Sequence, residues 1–196
     1  MMKGAKCTTS MIKSNGDTGL DKRYIRIWNI ILIICTVYWA TLIFSMSAQN
    51  SGDSSSLSLA VSKFIVKTFK FGWSAEDIEY FVRKLAHIAE YAIFAILLTL
   101  SAYTFRYGRL MQVKSVMRRR YSVCFAWVVA TIYSATDEFH QLFVDGRSGR
   151  VTDVFFDSFG AICGVLFTFF ILYLVSKKRE RAALLKKNEE EDSDIL

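Results

Sequence analysis

The chain has 196 residues, 53% of them apolar and 15% aromatic, with ten glycines and no proline. That composition excludes a disordered chain, a collagen-like repeat and a disulfide-stapled scaffold. The formal net charge of +7 first suggests nucleic acid, but the cations are placed as membrane topology places them, and no nucleic-acid partner is expected.

Residues 27–48 are a run of 22 without a charge, long enough as a helix to cross a bilayer core of ~30 Å. The run exceeds the apolar region of a cleaved signal peptide. Despite the small-x-small sequence Ser45-Met46-Ser47, it is expected to stay as a span. The connection that follows, residues 49–83, opens with a serine-rich stretch over 50–56 that reads as a flexible turn. Over 57–70, Leu57, Val61, Phe64, Ile65 and Thr68 share one helical face, and Lys63, Lys67 and Lys70 share another. This short amphipathic helix suits the headgroup plane, or equally a water-exposed seat on the bundle. Ser74, with Asp77 three residues on, signals a helix start.

Further spans are expected over residues 85–105, 121–144 and 151–175, each with a charge-free stretch and one polar end. The expected fold class is all-α, an integral membrane four-helix bundle. Residues 1–26 form a basic segment, 27–175 the membrane domain, and 176–196 a tail, basic then acidic, that reads as solvated and partly disordered. The segment before the first span, residues 106–120 and residues 177–187 together hold 18 of the 25 Lys and Arg side chains. The positive-inside tendency assigns them to the cytoplasm, with both termini. That side sums to +10 and the other to −3. Cys35, Cys124 and Cys163 lie in apolar runs and Cys7 in the basic segment, without metal or disulfide spacing.

On this topology the polar ends of the last three spans face outward together. They carry Arg83, Lys84, His87, Glu90 and Tyr91; Asp137, Glu138, His140 and Gln141; and Arg147, Arg150, Asp153 and Asp157. His87 and Glu90 share a face, as do Asp137 and Gln141. Asp153, Asp157, Gly160 and Gly164 form one stripe, and Gly160-x-x-x-Gly164 permits close helix approach. Ionisable groups at this depth face a bundle interior or a watery cavity, so a polar pocket open to the outside is expected.

Residues 83–91, R-K-L-A-H-I-A-E-Y, resemble the R-K-x-x-H-x-x-E-Y signature of the VanZ-like bacterial membrane proteins. Residues 137–147, D-E-F-H-Q-L-F-V-D-G-R, resemble the second signature, D-E-x-x-Q-x-F-x-P-G-R, with Asp145 where that family often has proline. Phe44, Ser45 and Gln49 loosely resemble the polar exit of the family's first helix. The resemblance implies a multi-pass protein of the bacterial plasma membrane with a cell-envelope role, in a family whose founding member is associated with teicoplanin resistance. It implies no particular reaction.

Three functions are compatible with these residues. The pocket binds an anionic lipid-linked or wall-precursor group through Arg83, Lys84 and Arg147, with His87, Glu90, Tyr91, Asp137, Glu138, Gln141, Asp153 and Asp157 lining it. Alternatively, the chain is a membrane-embedded hydrolase or transferase with His87, Glu90, Asp137 and Glu138 as catalytic candidates. In the third reading the cluster only fixes helix packing and function lies in a partner protein. No cofactor is expected, since the spacing of His87, Glu90, Asp137, Glu138 and His140 matches no standard metal motif. A homo-oligomer is compatible with all three.

Overall fold

A computed structural model describes residues 19–48, 51–69, 74–109, 115–144 and 149–193. It is all-α: α1 (Gly19–Ser47), α2 (Ser51–Phe69), α3 (Ala75–Arg109), α4 (Ser115–Gln141) and α5 (Val151–Ser193). The hub is α3, which packs on each of the other four; α4 also packs along α5, whereas α1 and α4 barely meet.

The packing is that of a protein in lipid. Large apolar side chains such as Ile30, Ile34 and Tyr38 on α1, and Phe159, Leu166, Phe167 and Phe170 on α5, point outward and are exposed. A water-soluble chain does not leave apolar surface on this scale uncovered. Small residues occupy the contacts instead. On α4, Ser122, Ala126, Ala130 and Ser134 recur every fourth position and are all buried, which puts them on one face. On α5, a Cβ added at Gly160 would lie 2.3 Å from the Ile88 carbonyl oxygen, and one at Gly164 would lie 2.2 Å from that of Ala92. The two glycines therefore let α5 and α3 touch backbone to backbone, the close approach expected of that pair.

Three helices are long and apolar enough to cross a membrane, over Arg23–Ser47, Ala75–Phe105 and Val151–Glu189. The fourth expected span, α4, has 27 residues, or ~40 Å at 1.5 Å per residue. It falls outside that set because three arginines near its start, two carboxylates near its end and the hydroxyl-bearing residues between them lower its mean hydropathy. Hydrogen bonds tie the spans together. Asn29 of α1 donates to the Ser101 carbonyl (3.1 Å) and to Thr104 Oγ1 (2.9 Å) on α3, and Thr36 pairs with the Ser101 hydroxyl at 3.0 Å. Nearer the other end, Trp39 Nε1 donates to the Glu90 carbonyl (3.0 Å), and the Tyr133 hydroxyl to that of Ala40 (2.7 Å).

Several local expectations change. The serine-rich stretch after residue 50 is helical from Ser51. The buried face of α2 is Ser58 and Ser62, with the Ser58 hydroxyl on Glu79 of α3 at 3.0 Å, while Val61 and Phe64 point away from the bundle. The start signal at Ser74 is realised as a reciprocal box: Ser74 Oγ accepts from the Asp77 N–H (3.2 Å) and Asp77 from that of Ser74 (3.0 Å). The tail expected to be partly disordered continues α5 to Ser193. Ala182-Ala183-Leu184-Leu185 are strong helix formers, and the chain has no proline to stop them. Finally, Arg118 and Arg119 are buried residues of α4. Arg118 donates to the Tyr103 hydroxyl (2.9 Å) and lies 4.5 Å over its ring, and Arg119 reaches Ser176 between Phe169 and Tyr173.

Candidate functional site

The end of the bundle opposite those arginines holds the sequence-selected polar residues. Its geometry begins with Gly160. Because α5 meets the α3 backbone at Ile88, the residue one turn earlier on α5, Asp157, is pressed against the neighbour of Ile88, His87. Asp157 is 1% exposed. Its Oδ2 accepts a hydrogen bond from Ser134 of α4 at 2.7 Å, and its Oδ1 lies 3.7 Å from His87 Nδ1. That nitrogen is also 3.9 Å from Glu90 Oε2, one turn along α3. The imidazole thus faces two carboxylates, one on its own helix and one on α5. Tyr91, a turn below His87, is fully buried, with Ser134, Asp137 and Asp157 in the neighbourhood of its hydroxyl. Three helices thus converge on one buried group: His87 and Tyr91, Ser134 and Asp137, and Asp157.

A second group forms the rim. Lys84 of α3 makes an ion pair with Asp153 of α5 and lies 5.5 Å from the Tyr80 ring and 5.6 Å from that of Phe156. Glu138 Oε2 accepts the Arg150 backbone N–H at 2.9 Å, the carboxylate at a helix start that the helix dipole favours. Gly149, just before it, runs so close to α4 that a Cβ would sit 2.2 Å from the Glu138 carbonyl oxygen. Arg83 is half-buried and Arg150 exposed at this end.

The adjacent acids Asp137 and Glu138 diverge, as neighbours on a helix must. Asp137 turns in toward Tyr91 and Tyr133, and Glu138 turns to the start of α5. Gln141 donates to Ser47 of α1 at 2.9 Å and fastens the helix ends rather than lining the group around His87. His140 lies against the Phe44 ring, centroids 4.5 Å apart, and so faces α1. Arg147 lies outside the described residues. Among the described residues, no three His, Cys, Asp or Glu side chains are grouped as a metal site requires.

The motif from residue 137 and the stripe from Asp153 meet on α3 with the signature residues of 83–91 between them. A family model, VanZ/LLP1, matches residues 30–173. The chain belongs to the VanZ/LLP1 family. No curated protein and no solved structure matches it. The family match runs from within α1 to the middle of α5, and the described residues of that region pack as helices around α3. Three partners within it carry no sequence signal by type: Ser134, Ser47 and Trp39. Ser134 alone could have been found, since it lies three residues before Asp137 on the same helical face.

Proposed function

We propose that this VanZ/LLP1 chain is a cell-envelope protein of the bacterial plasma membrane that crosses it four times, with α4 as the remaining span and both termini in the cytoplasm. The polar end of α3, α4 and α5 then opens outward and binds an anionic lipid-linked or wall-precursor group. The supporting observation is the two-tier arrangement. Arg83, Lys84 and Arg150 stand at the rim, where a phosphate or carboxylate can meet guanidinium and ammonium donors. His87 and Glu90, partly exposed, lie deeper as partners for sugar or glycerol hydroxyls, with Asp157 buried behind the imidazole. A link to glycopeptide resistance, teicoplanin included, follows on this reading if the captured group belongs to the wall precursor.

The test is binding of purified protein to polyprenyl phosphate and to a lipid-linked disaccharide precursor at low salt. Saturable binding lost in Arg83→Gln and Arg150→Gln supports the reading, and no binding to either ligand contradicts it. One observation favours a second reading, a membrane-embedded hydrolase or transferase: the His87 imidazole stands between two carboxylates, as a general base with orienting acids does. Turnover of the same ligands, abolished in His87→Ala with binding retained, distinguishes it.

A further inference from the structure

Arg119, near the start of α4, is 4% exposed. It donates to the Ser176 hydroxyl of α5, and its guanidinium carbon lies 5.8 Å from the ring centroids of both Phe169 and Tyr173. Its Nε has no hydrogen-bond partner among the described residues. Every partner that Arg119 meets is neutral. No Asp or Glu occurs over residues 91–136 or 158–179, so the halves of α3, α4 and α5 at this end of the bundle supply no carboxylate. Ring faces offset part of the cost of burying a cation. A full charge taken out of water still calls for a counter-charge.

A second cation shares the same ring. Lys177 Nζ lies 6.0 Å from the Tyr173 centroid, and Lys177 is exposed. Two positive groups gathered at one ring repel each other, and an anion held between them removes that repulsion. Their depth says which anion. Residues 158–176 carry no charge, and Lys177, Lys178 and Arg179 follow at once. Ser176 and Lys177 therefore stand where α5 leaves the hydrocarbon for the headgroup layer. Phe170 and Leu174, just before them, are exposed and offer apolar surface to acyl chains. A guanidinium fork beside an ammonium suits the oxygens of a phosphate.

We infer that Arg119, Ser176 and Lys177 form a site for the phosphate of one anionic phospholipid at the junction of α4 and α5. The site lies at the opposite end of the bundle from the His87 group and holds on either topology.

The test is the thermal midpoint of the full chain, delipidated in mild detergent and titrated with phosphatidylglycerol, phosphatidylcholine and inorganic phosphate. Phosphatidylglycerol should stabilise wild type at a concentration at least about fivefold lower than phosphatidylcholine, since one cation near an anionic surface is worth about fivefold. Lys177→Gln, on an exposed position, should weaken the phosphatidylglycerol response by about fivefold. Lys178→Gln, about 100° round the helix, should leave it unchanged. Arg119→Gln keeps a donor for Ser176 and should abolish the preference. Equal responses of wild type to the two lipids overturn the site. So does a preference retained in folded Arg119→Gln. Equal weakening by Lys177→Gln and Lys178→Gln also overturns it, by showing general attraction to a basic helix end, and that comparison decides alone if Arg119→Gln does not fold. Inorganic phosphate matching phosphatidylglycerol at equal concentration overturns the lipid assignment in favour of a soluble anion.

Discussion

Gly160 of α5 lies against the carbonyl of Ile88 of α3, with room for no side chain between them: a Cβ would come within 2.3 Å of that oxygen. This contact sets the distance from Asp157 to His87 one turn away. Backbone cannot yield as a flexible side chain can, so Gly160→Ala must part the helices. A loss of about 1–3 kcal/mol is expected for such overpacking, read as a lower thermal midpoint in detergent, with ligand binding falling alongside. Gly164→Ala, 2.2 Å from the Ala92 oxygen, should lower stability comparably while disturbing the His87 end less.

Asp157 separates architecture from function. Asp157→Ala removes the acceptor of the Ser134 hydroxyl and should cost about 1–3 kcal/mol and reduce protein abundance. Asp157→Asn keeps an oxygen for Ser134 while removing the ionisable group beside His87. Near-normal abundance with lost ligand binding or phenotype is the expected outcome. Equal abundance loss in both variants would assign the residue to packing alone.

Lys84 and Asp153 are partly buried partners on different helices. Either single reversal, Lys84→Asp or Asp153→Lys, should destabilise by leaving like charges together, and the double reversal should recover part of the loss. A coupling of about 0.5–3 kcal/mol is expected for residues in contact, measured as a double-mutant cycle on thermal stability.

Much of this arrangement can be read from residue order because its causes are local. Charge-free length sets α1, the Gly160-Gly164 spacing sets the close α3–α5 contact, and the Ser74–Asp77 pair sets the start of α3. Shared faces along each helix also bring His87, Asp137 and Asp157 to one level. What the order of residues does not reveal is pairing across helices, which depends on their relative depth and rotation. Glu138 turned to the start of α5, Gln141 to Ser47 and His140 to Phe44 for that reason, though all three sit beside Asp137 in one motif. Arg118 and Arg119 precede the charge-free run of α4, and only Tyr103, Phe169 and Tyr173 at matching depth on other helices give them buried places. The helical tail followed from propensity, which a count of its charges hid.

Trp39 is the link between α1 and the site, through its bond to the Glu90 carbonyl. Trp39→Phe keeps most of the ring and removes the donor. A loss of about 0.5–1.5 kcal/mol is expected, with little change in ligand binding, because Glu90 contributes its side chain and not its carbonyl to the group at His87.

The central claim is that the His87–Asp157 end opens to the cell exterior and the arginine-bearing end of α4 to the cytoplasm. Labelling of single cysteines placed at Arg83 and at Arg120, in a chain with Cys7, Cys35, Cys124 and Cys163 replaced, measures this most directly. A membrane-impermeant maleimide should modify Arg83→Cys in intact cells and Arg120→Cys only after lysis. Modification of Arg120→Cys in intact cells, with Arg83→Cys protected until lysis, would contradict the account.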